Sequence, residues 1–360
     1  MVKMKNVCFV FVTAVLVVSG PLLADDPVDG VVSYWKLDEG AGTVACDLVG
    51  GNEGTIMGAE WTTGIIGGAL RFNGHGDYVD CGSDPNLQFE TSDLTWALWI
   101  NFDHFDHSMY FLTRAQDGGN RIEALYYEPS DNLTFYAAEH GEDKLWLRVE
   151  NASSKITSGQ WHHLAFVVDR DTSGSIYLDG ISLDLVKGMI STDRLTPEAS
   201  FRIGTTYDCL KPFEGVIDEV ILFNRVLEPN EVLQLYQDGL DGLGYPVDSK
   251  TVAVNTIECA IAAKKEALEL VNLAIDKERQ AFAALNELRE SGDTGELRVI
   301  DIFRARLEIL WAMARQIHAK FNLRRSIRKL ESALERLTME PEPAGSVQSE
   351  GQGGQRLRGR

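Results

Sequence analysis

From residue 31 to about residue 236 the chain repeats one pattern. Short runs of alternating apolar and polar residues are separated by turns rich in Gly, Asp, Asn and Ser. The runs LTWALWI (94–100), LWLRV (145–149), HLAFVV (163–168) and SIYLDG (175–180) are examples. A period of two places successive side chains on opposite faces, so each run reads as a strand with one face buried. Many such runs with no helical period between them predict an antiparallel sandwich or barrel. Roughly 200 residues suit one large sandwich with an ample core.

The period then changes. Residues 230–236 (NEVLQLY) predict a short helix, and the glycine-rich stretch 238–246 reads as a linker. From Thr251 apolar residues recur at three- and four-residue steps: Ile257, Ile261, Leu268, Val271 and Ile275, then Phe282 and Leu285. SGDTG at 291–295 breaks this run, and a second follows from Ile300 to Leu337. Two helices of about 40 residues, each roughly 60 Å long, with a short break between them predict an antiparallel hairpin or coiled coil. A lone hairpin leaves apolar surface uncovered, and Trp311, Met313 and Phe321 belong to that surface. Association through 251–338, with a second copy or a helical partner, is therefore expected.

The start resembles an export signal. Lys3 and Lys5 precede an apolar run at 7–18, and LLA at 22–24 ends on a small residue. That run is shorter than the roughly 20 residues a bilayer span needs, so no transmembrane segment is expected after cleavage. The reading divides the chain into 1–24, a sandwich at 25–238, a linker at 239–250, a helical hairpin at 251–338 and a disordered tail at 339–360. It places the protein in a secreted, periplasmic or cell-surface location. Four cysteines follow the signal: Cys46, Cys81, Cys209 and Cys259. Four allow three full pairings. Cys46–Cys81 is the favoured pair because both lie in the sandwich, with Cys259 free or intermolecular. Residues 25–250 hold 14 Lys/Arg against 38 Asp/Glu, a net charge of −24. So acidic a surface repels phosphate backbones and argues against nucleic acid as a partner.

Residues 213–236 read FEGVIDEVILFNRVLEPNEVLQLY. This segment resembles the closing signature of laminin-G-like jelly-roll domains of the concanavalin A-like lectin/glucanase family. YWKLDEG (34–40), GALRFNG (68–74), the run at 94–100, QWHHLA (160–165) and IYLDG (176–180) match in the same order. The resemblance covers about residues 30–238 and leaves the hairpin outside. It implies a mainly β, antiparallel jelly-roll β-sandwich followed by an α-helical hairpin. It also implies a structural calcium held by Asp218, with Glu39 or Asp47 completing the oxygen shell. Alternation sets Asp218 on the face of Val220 and Leu222, where a carboxylate needs hydrogen bonds or a cation.

A ligand face in such a sandwich combines rings and polar groups from the central strands. Arg114, Tyr126, Tyr136, His140 and Trp146 are the candidates, with Tyr127 and Asn120 beside them. Trp99 reads as a core residue. In WHH (161–163) the two histidines fall on opposite faces and read as structural. DHFDH (103–107) offers two imidazoles and two carboxylates within five residues, a set suited to a transition metal, although a solvated loop has the same composition. The Glu-x-Asp-x-x-Glu strand of related glucanases, its shorter variant, Gly-x-Ser-x-Gly and His-Glu-x-x-His are all missing from the chain. The sequence thus points to a secreted, non-catalytic protein that binds a glycan or an extracellular protein. The alternatives are an assembly protein acting through the hairpin and a glycoside hydrolase.

Overall fold

The computed structural model describes residues 30–116, 119–247, 249–291 and 299–338. The signal at 1–24, the tail at 339–360 and most of the break at 291–295 lie outside the described residues. The strands are β1 (Val31–Trp35), β2 (Val44–Ala45), β3 (Gly54–Met57), β4 (Glu60–Thr63), β5 (Gly68–Asn73), β6 (Tyr78–Asp80), β7 (Leu94–Phe102), β8 (Met109–Ala115) and β9 (Arg121–Tyr127). They continue with β10 (Asn132–Glu139), β11 (Glu142–Glu150), β12 (Trp161–Asp169), β13 (Ser173–Leu178), β14 (Ile181–Ser182), β15 (Lys187–Met189), β16 (Phe201–Ile203) and β17 (Glu214–Phe223). Three helices follow: α1 (Pro229–Leu240), α2 (Ser249–Ser291) and α3 (Val299–Thr338).

The strands form two antiparallel sheets. One runs β14-β13-β12-β7-β17-β5-β4, with β1 also paired to β17. The other runs β15-β11-β10-β9-β8-β16-β6-β3-β2. Their inward rows make one core. Leu94, Trp96, Leu98, Ile100 and Phe102 of β7 face Leu133, Phe135 and Ala137 of β10 and Leu145, Leu147 and Val149 of β11. Trp96 meets Phe135 and Phe201 edge-on at 5.1 and 5.2 Å, and Trp35 lies flat on Phe201 at 5.5 Å. Burying each such ring stabilises the fold by about 2–3 kcal/mol. The expected sandwich and helical pair are therefore both present.

The outward face of the eight-stranded sheet is covered as well. Ala97, Ala165, Val167, Ile221 and Phe223 pack with Leu227 and Val232. Pro229 opens α1, and the Glu228 and Glu231 side chains close a reciprocal cap at its start. The helix outruns the sequence reading and includes Gly239. A Cβ there would stand 2.4 Å from Trp99 Nε1, so glycine lets the helix backbone rest on the indole. The stretch read as a linker is also packed: the Tyr245 amide donates to the Tyr34 hydroxyl (3.0 Å), and its ring meets Phe223 at 5.4 Å.

α2 and α3 run antiparallel. Gln316 donates to Glu278 (3.0 Å), and farther along Lys265 pairs with Glu331 (3.4 Å). A disulfide joins Cys46 of the sandwich to Cys259 of α2, and Asn255 Nδ2 donates to the Leu48 carbonyl (2.8 Å). This corrects the expected Cys46–Cys81 pair and the expectation of a free or intermolecular Cys259. Cys81 points into the core, where its sulfur would lie 3.2 Å from a Cβ at Gly54, whereas Cys46 faces α2. Cys81 and Cys209 are free. Among the described residues no helix is long and apolar enough to cross a membrane.

Candidate functional site

The outward face of the nine-stranded sheet carries a different chemistry. Register puts Tyr136 between Glu123 and Trp146, and Leu125 beside Tyr110. Alternation therefore sends Tyr110, Arg121, Glu123, Tyr127, Tyr136, Trp146 and Arg148 to this one face. The Arg148 guanidinium lies 5.0 Å over the Trp146 ring, and the Tyr136 hydroxyl donates to Asp143 (2.6 Å).

At β8 and β9 this face deepens into a cleft of about 230 Å³ lined by Tyr110, Arg121, Glu123, Thr206, Tyr207, Asp208, Leu210 and Lys211. Lys211 Nζ sits 5.7 Å from the Tyr110 ring and 5.3 Å from the Tyr127 ring. Glu123 is buried at the floor. Burial pushes its carboxyl up to about 7, and Asp208 adds to this while Arg121 and Lys211 oppose it. The Tyr110 hydroxyl is also raised, by burial first and then by Glu123. A neutral or half-neutral carboxyl between two cations and two tyrosines can both donate and accept hydrogen bonds at neutral pH.

The residues nominated from sequence divide. Tyr136 and Trp146 lie on this face. Tyr126 does not: it pairs with Leu133, points inward, and sits 5.0 Å from Phe105 with its hydroxyl on the Phe105 carbonyl (3.3 Å). Arg114 is fully buried, its guanidinium donating to the carbonyls of Pro197 (2.8 Å), Ser83 (3.4 Å) and Asp84 (3.5 Å). Burial pulls it down to about 10, with Asp84 opposing. It ties loops together, and nothing outside the protein reaches it. His140 occupies the β10–β11 turn in left-handed backbone (φ 53°), its amide on Asn120 (2.7 Å) and its ring in solvent. Sequence reasoning missed Tyr110, Glu123, Asp208 and Lys211. The last two come from a loop that only the tertiary fold brings beside β8 and β9.

A second cluster lies under α1. Asp218 stands opposite Trp99, and a register shift separates it from Ile221. The extra residue is Glu219, in left-handed backbone (φ 49°). This bulge reverses the expected alternation. Asp218 projects outward with Trp99, while Val220 and Leu222 project into the core. Asp218 is nonetheless fully buried. Its oxygens accept from the amides of Glu219 (2.8 Å) and Ile66 (3.2 Å). Asp38 is the acidic neighbour from the opening region: it accepts from the Gly68 amide (2.6 Å) and pairs with Lys36 (2.8 Å). Tyr34 donates to Glu219 Oε2, and Glu219 Oε1 is buried without a partner. Burial, then the neighbouring Glu219, raises Asp218 to about 8. Burial also raises Glu219 to about 7, against the lowering effects of Tyr34 and Lys36.

Neither of the other two nominated calcium ligands joins this cluster. Asp47 is engaged by the amides of Tyr34, Val49, Gly50 and Asn52 at 2.9–3.0 Å, so its oxygens organise a turn. Glu39 accepts from the Cys46 amide (2.8 Å) and turns toward the Cys46–Cys259 bridge. Asp38 and Glu219 both act on the Asp218 carboxyl, and Glu219 Oε1 has no hydrogen-bond partner among the described residues.

The family model for the concanavalin A-like lectin/glucanases superfamily, of laminin-G type, matches residues 73–233. The match covers β6 to β17 and the start of α1, and α2 and α3 lie outside it. Domain 4 of AbnA, an extracellular arabinanase from Geobacillus stearothermophilus solved with arabinotriose, is similar at 22% identity and TM-score 0.45, covering 58% of this chain and 98% of that one. The binding domain of Paraclostridial Mosquitocidal Protein 1 is similar at 17% and 0.45, covering 57% and 52%. Trypanosoma rangeli sialidase is similar at 19% and 0.42, covering 60% and 34%. The chain thus spans about half of the second and a third of the third. No curated protein matches this chain.

Proposed function

We propose that the chain is an exported carbohydrate-binding protein whose ligand lies across the outward face of the nine-stranded sheet. The observation that supports this is the cleft in which Tyr110 and Tyr127 flank Lys211 above buried Glu123. Sugars present C–H faces that are weakly positive and edges crowded with hydroxyls. Ring faces that already attract a lysine suit the first, and Glu123, Arg121 and Asp208 suit the second. The superfamily name, which covers lectins, agrees with this reading. A glycan array probed with the full chain tests it. A class of glycans should bind, and Tyr127→Ala and Glu123→Gln should abolish that signal. An array with no signal, or one both variants leave unchanged, overturns the reading.

Calcium at Asp38, Asp218 and Glu219 belongs to the same proposal, as a stabiliser of the sandwich. Asp218 and Glu219 are neighbouring buried carboxylates with Asp38 at the exposed edge; two such groups are costly to ionise together, and a divalent cation offsets that cost. Scanning calorimetry of chelator-treated protein should show a higher melting temperature when calcium is restored. No change rules the ion out.

Two further readings have their own observations. Glu123, raised to about 7 beside Asp208, has the ionisation of a general acid with a carboxylate partner. Release of reducing sugar that disappears in Glu123→Gln would make the protein a hydrolase. Trp311 and Phe321 of α3 are 70% and 61% exposed, which favours association through the helical pair. Light scattering of the full chain and of Trp311→Glu distinguishes a self-associating protein from a monomer.

A further inference from the structure

Loop 103–108, between β7 and β8, meets the start of β17. There His104, His107 and Glu214 each offer one ligand atom, and all three atoms lie within 4.8 Å of one another. We propose that these three residues form a site for a divalent transition ion of the zinc class, distinct from the buried carboxylates under α1.

The geometry supports this in four ways. His104 Nε2 lies 3.4 Å from Glu214 Oε2, close to the separation of about 3.4 Å between two ligands on a tetrahedral zinc with bonds near 2.1 Å. Second, neither ring nitrogen of His104 makes a hydrogen bond among the described residues. Its Nδ1 is buried without a partner, and its Nε2 faces Glu214 and, at 3.5 Å, Asp106. A second imidazole lies 5.3 Å away and two carboxylates stand beside Nε2, so the donors that a borderline cation takes are gathered in one place. Third, Asp106 Oδ1 lies 2.8 Å from His107 Nδ1, the carboxylate contact that orients a metal-bound histidine and leaves its other nitrogen for the ion. Fourth, the site is braced. The Asp103 amide donates to the Glu214 carbonyl (3.3 Å), and Arg71 pairs with Asp103. A Cβ at Gly74 would reach within 2.6 Å of Glu214 Oε2, so glycine leaves the carboxylate its room.

Two imidazoles and one carboxylate are a borderline donor set, which favours zinc over calcium. Three protein ligands leave a fourth position for water or for an oxygen of a bound molecule. The three residues are all partly exposed, at 31–38% of their side-chain surface, so an ion reaches them from solvent.

Titration calorimetry of the full, chelator-treated chain with zinc chloride tests the site. One zinc per chain should bind. His107→Ala and Glu214→Gln should each weaken it by more than about tenfold, and Asp106→Asn by about tenfold. Cobalt(II) should give the visible absorption of a four-coordinate ion, lost in His107→Ala. Asp218→Asn should bind zinc as the native chain does, which keeps this outcome separate from the calcium proposal. Circular dichroism should show each variant folded, because these half-exposed side chains lie outside the core. Absence of millimolar binding, or unchanged affinity in the folded His107→Ala and Glu214→Gln variants, overturns the assignment.

Discussion

Asp218 and Trp99 face each other across the β17–β7 pairing, and both project from the outward side of the eight-stranded sheet. The Asp218 carboxyl is fully buried, with Gly64 and Ile66 against it, and burial followed by the neighbouring Glu219 displaces its ionisation to about 8. A carboxyl whose folded value exceeds its unfolded value favours the folded state at low pH. That advantage is lost as pH rises from about 4 to about 8. Glu219 and Glu123, each raised to about 7, act in the same direction. His163, which packs on Trp99 and is lowered to about 4 by burial, acts oppositely between about 4 and 6.5. In chelator the melting temperature should therefore fall from about pH 5 to about pH 8, three carboxyls outweighing the one histidine below pH 6.5. Asp218→Asn should flatten that fall, and about 1 kcal/mol relieved should appear as about 2–4 °C. Equal slopes for the two proteins would show that Asp218 does not carry the penalty.

Gly239 sets helix propensity against space. Alanine in a helix interior is favoured over glycine by about 1 kcal/mol. A Cβ here, however, would meet three indole atoms of Trp99 at 2.4–2.5 Å, with the ring stacked on Tyr236 at 5.6 Å and unable to retreat. Overpacking costs about 1–3 kcal/mol, so the steric effect wins. Gly239→Ala should lower the urea midpoint and shift tryptophan fluorescence. A rise in stability would mean that α1 rests on Trp99 more loosely than the structure shows.

These two positions mark where the sequence could be read and where it could not. Period-two runs gave the strands, and helical periods gave α2 and α3, because burial on one face imposes both patterns. Asp218 was assigned to the wrong face because one residue in left-handed backbone, Glu219, resets the alternation, and a bulge leaves no periodic trace. Tyr126 and Tyr127 are adjacent rings on opposite faces, and register alone decides which one looks outward. Gly239 and Tyr245 read as linker because glycine and proline punctuate the segment, yet tertiary contact fixes both. The Cys46–Cys259 bridge spans 213 residues, a separation no local pattern encodes.

Arg114 and Trp146 separate stability from binding. Arg114→Leu leaves the Pro197 carbonyl without its buried donor and should destabilise the fold by about 1–3 kcal/mol. Glycan affinity measured well below the melting temperature should not change. Trp146→Ala removes a half-buried ring on the proposed face, beside Tyr136. It should weaken glycan binding about tenfold or more, since one stacking contact is worth about 1 kcal/mol and upward, with little effect on melting. The reverse pattern would return Arg114 to the ligand site.

The Cys46–Cys259 bridge is the covalent tie between the sandwich and the helical pair, and Asn255 adds a hydrogen bond nearby. Closing so long a loop in the unfolded chain removes entropy worth about 5 kcal/mol. The sandwich does not need that sum, because its core at Trp35, Trp96 and Phe201 is complete without α2. The loss should therefore fall on the docking of α2. In Cys259→Ser, or in reduced native protein, the helical signal should melt several degrees earlier, while tryptophan fluorescence keeps its native transition. Limited proteolysis should open residues 241–247 only when the bridge is absent. If both signals melt together at an unchanged temperature, the packed strap around Tyr245 holds α2 in place and the disulfide adds little to it.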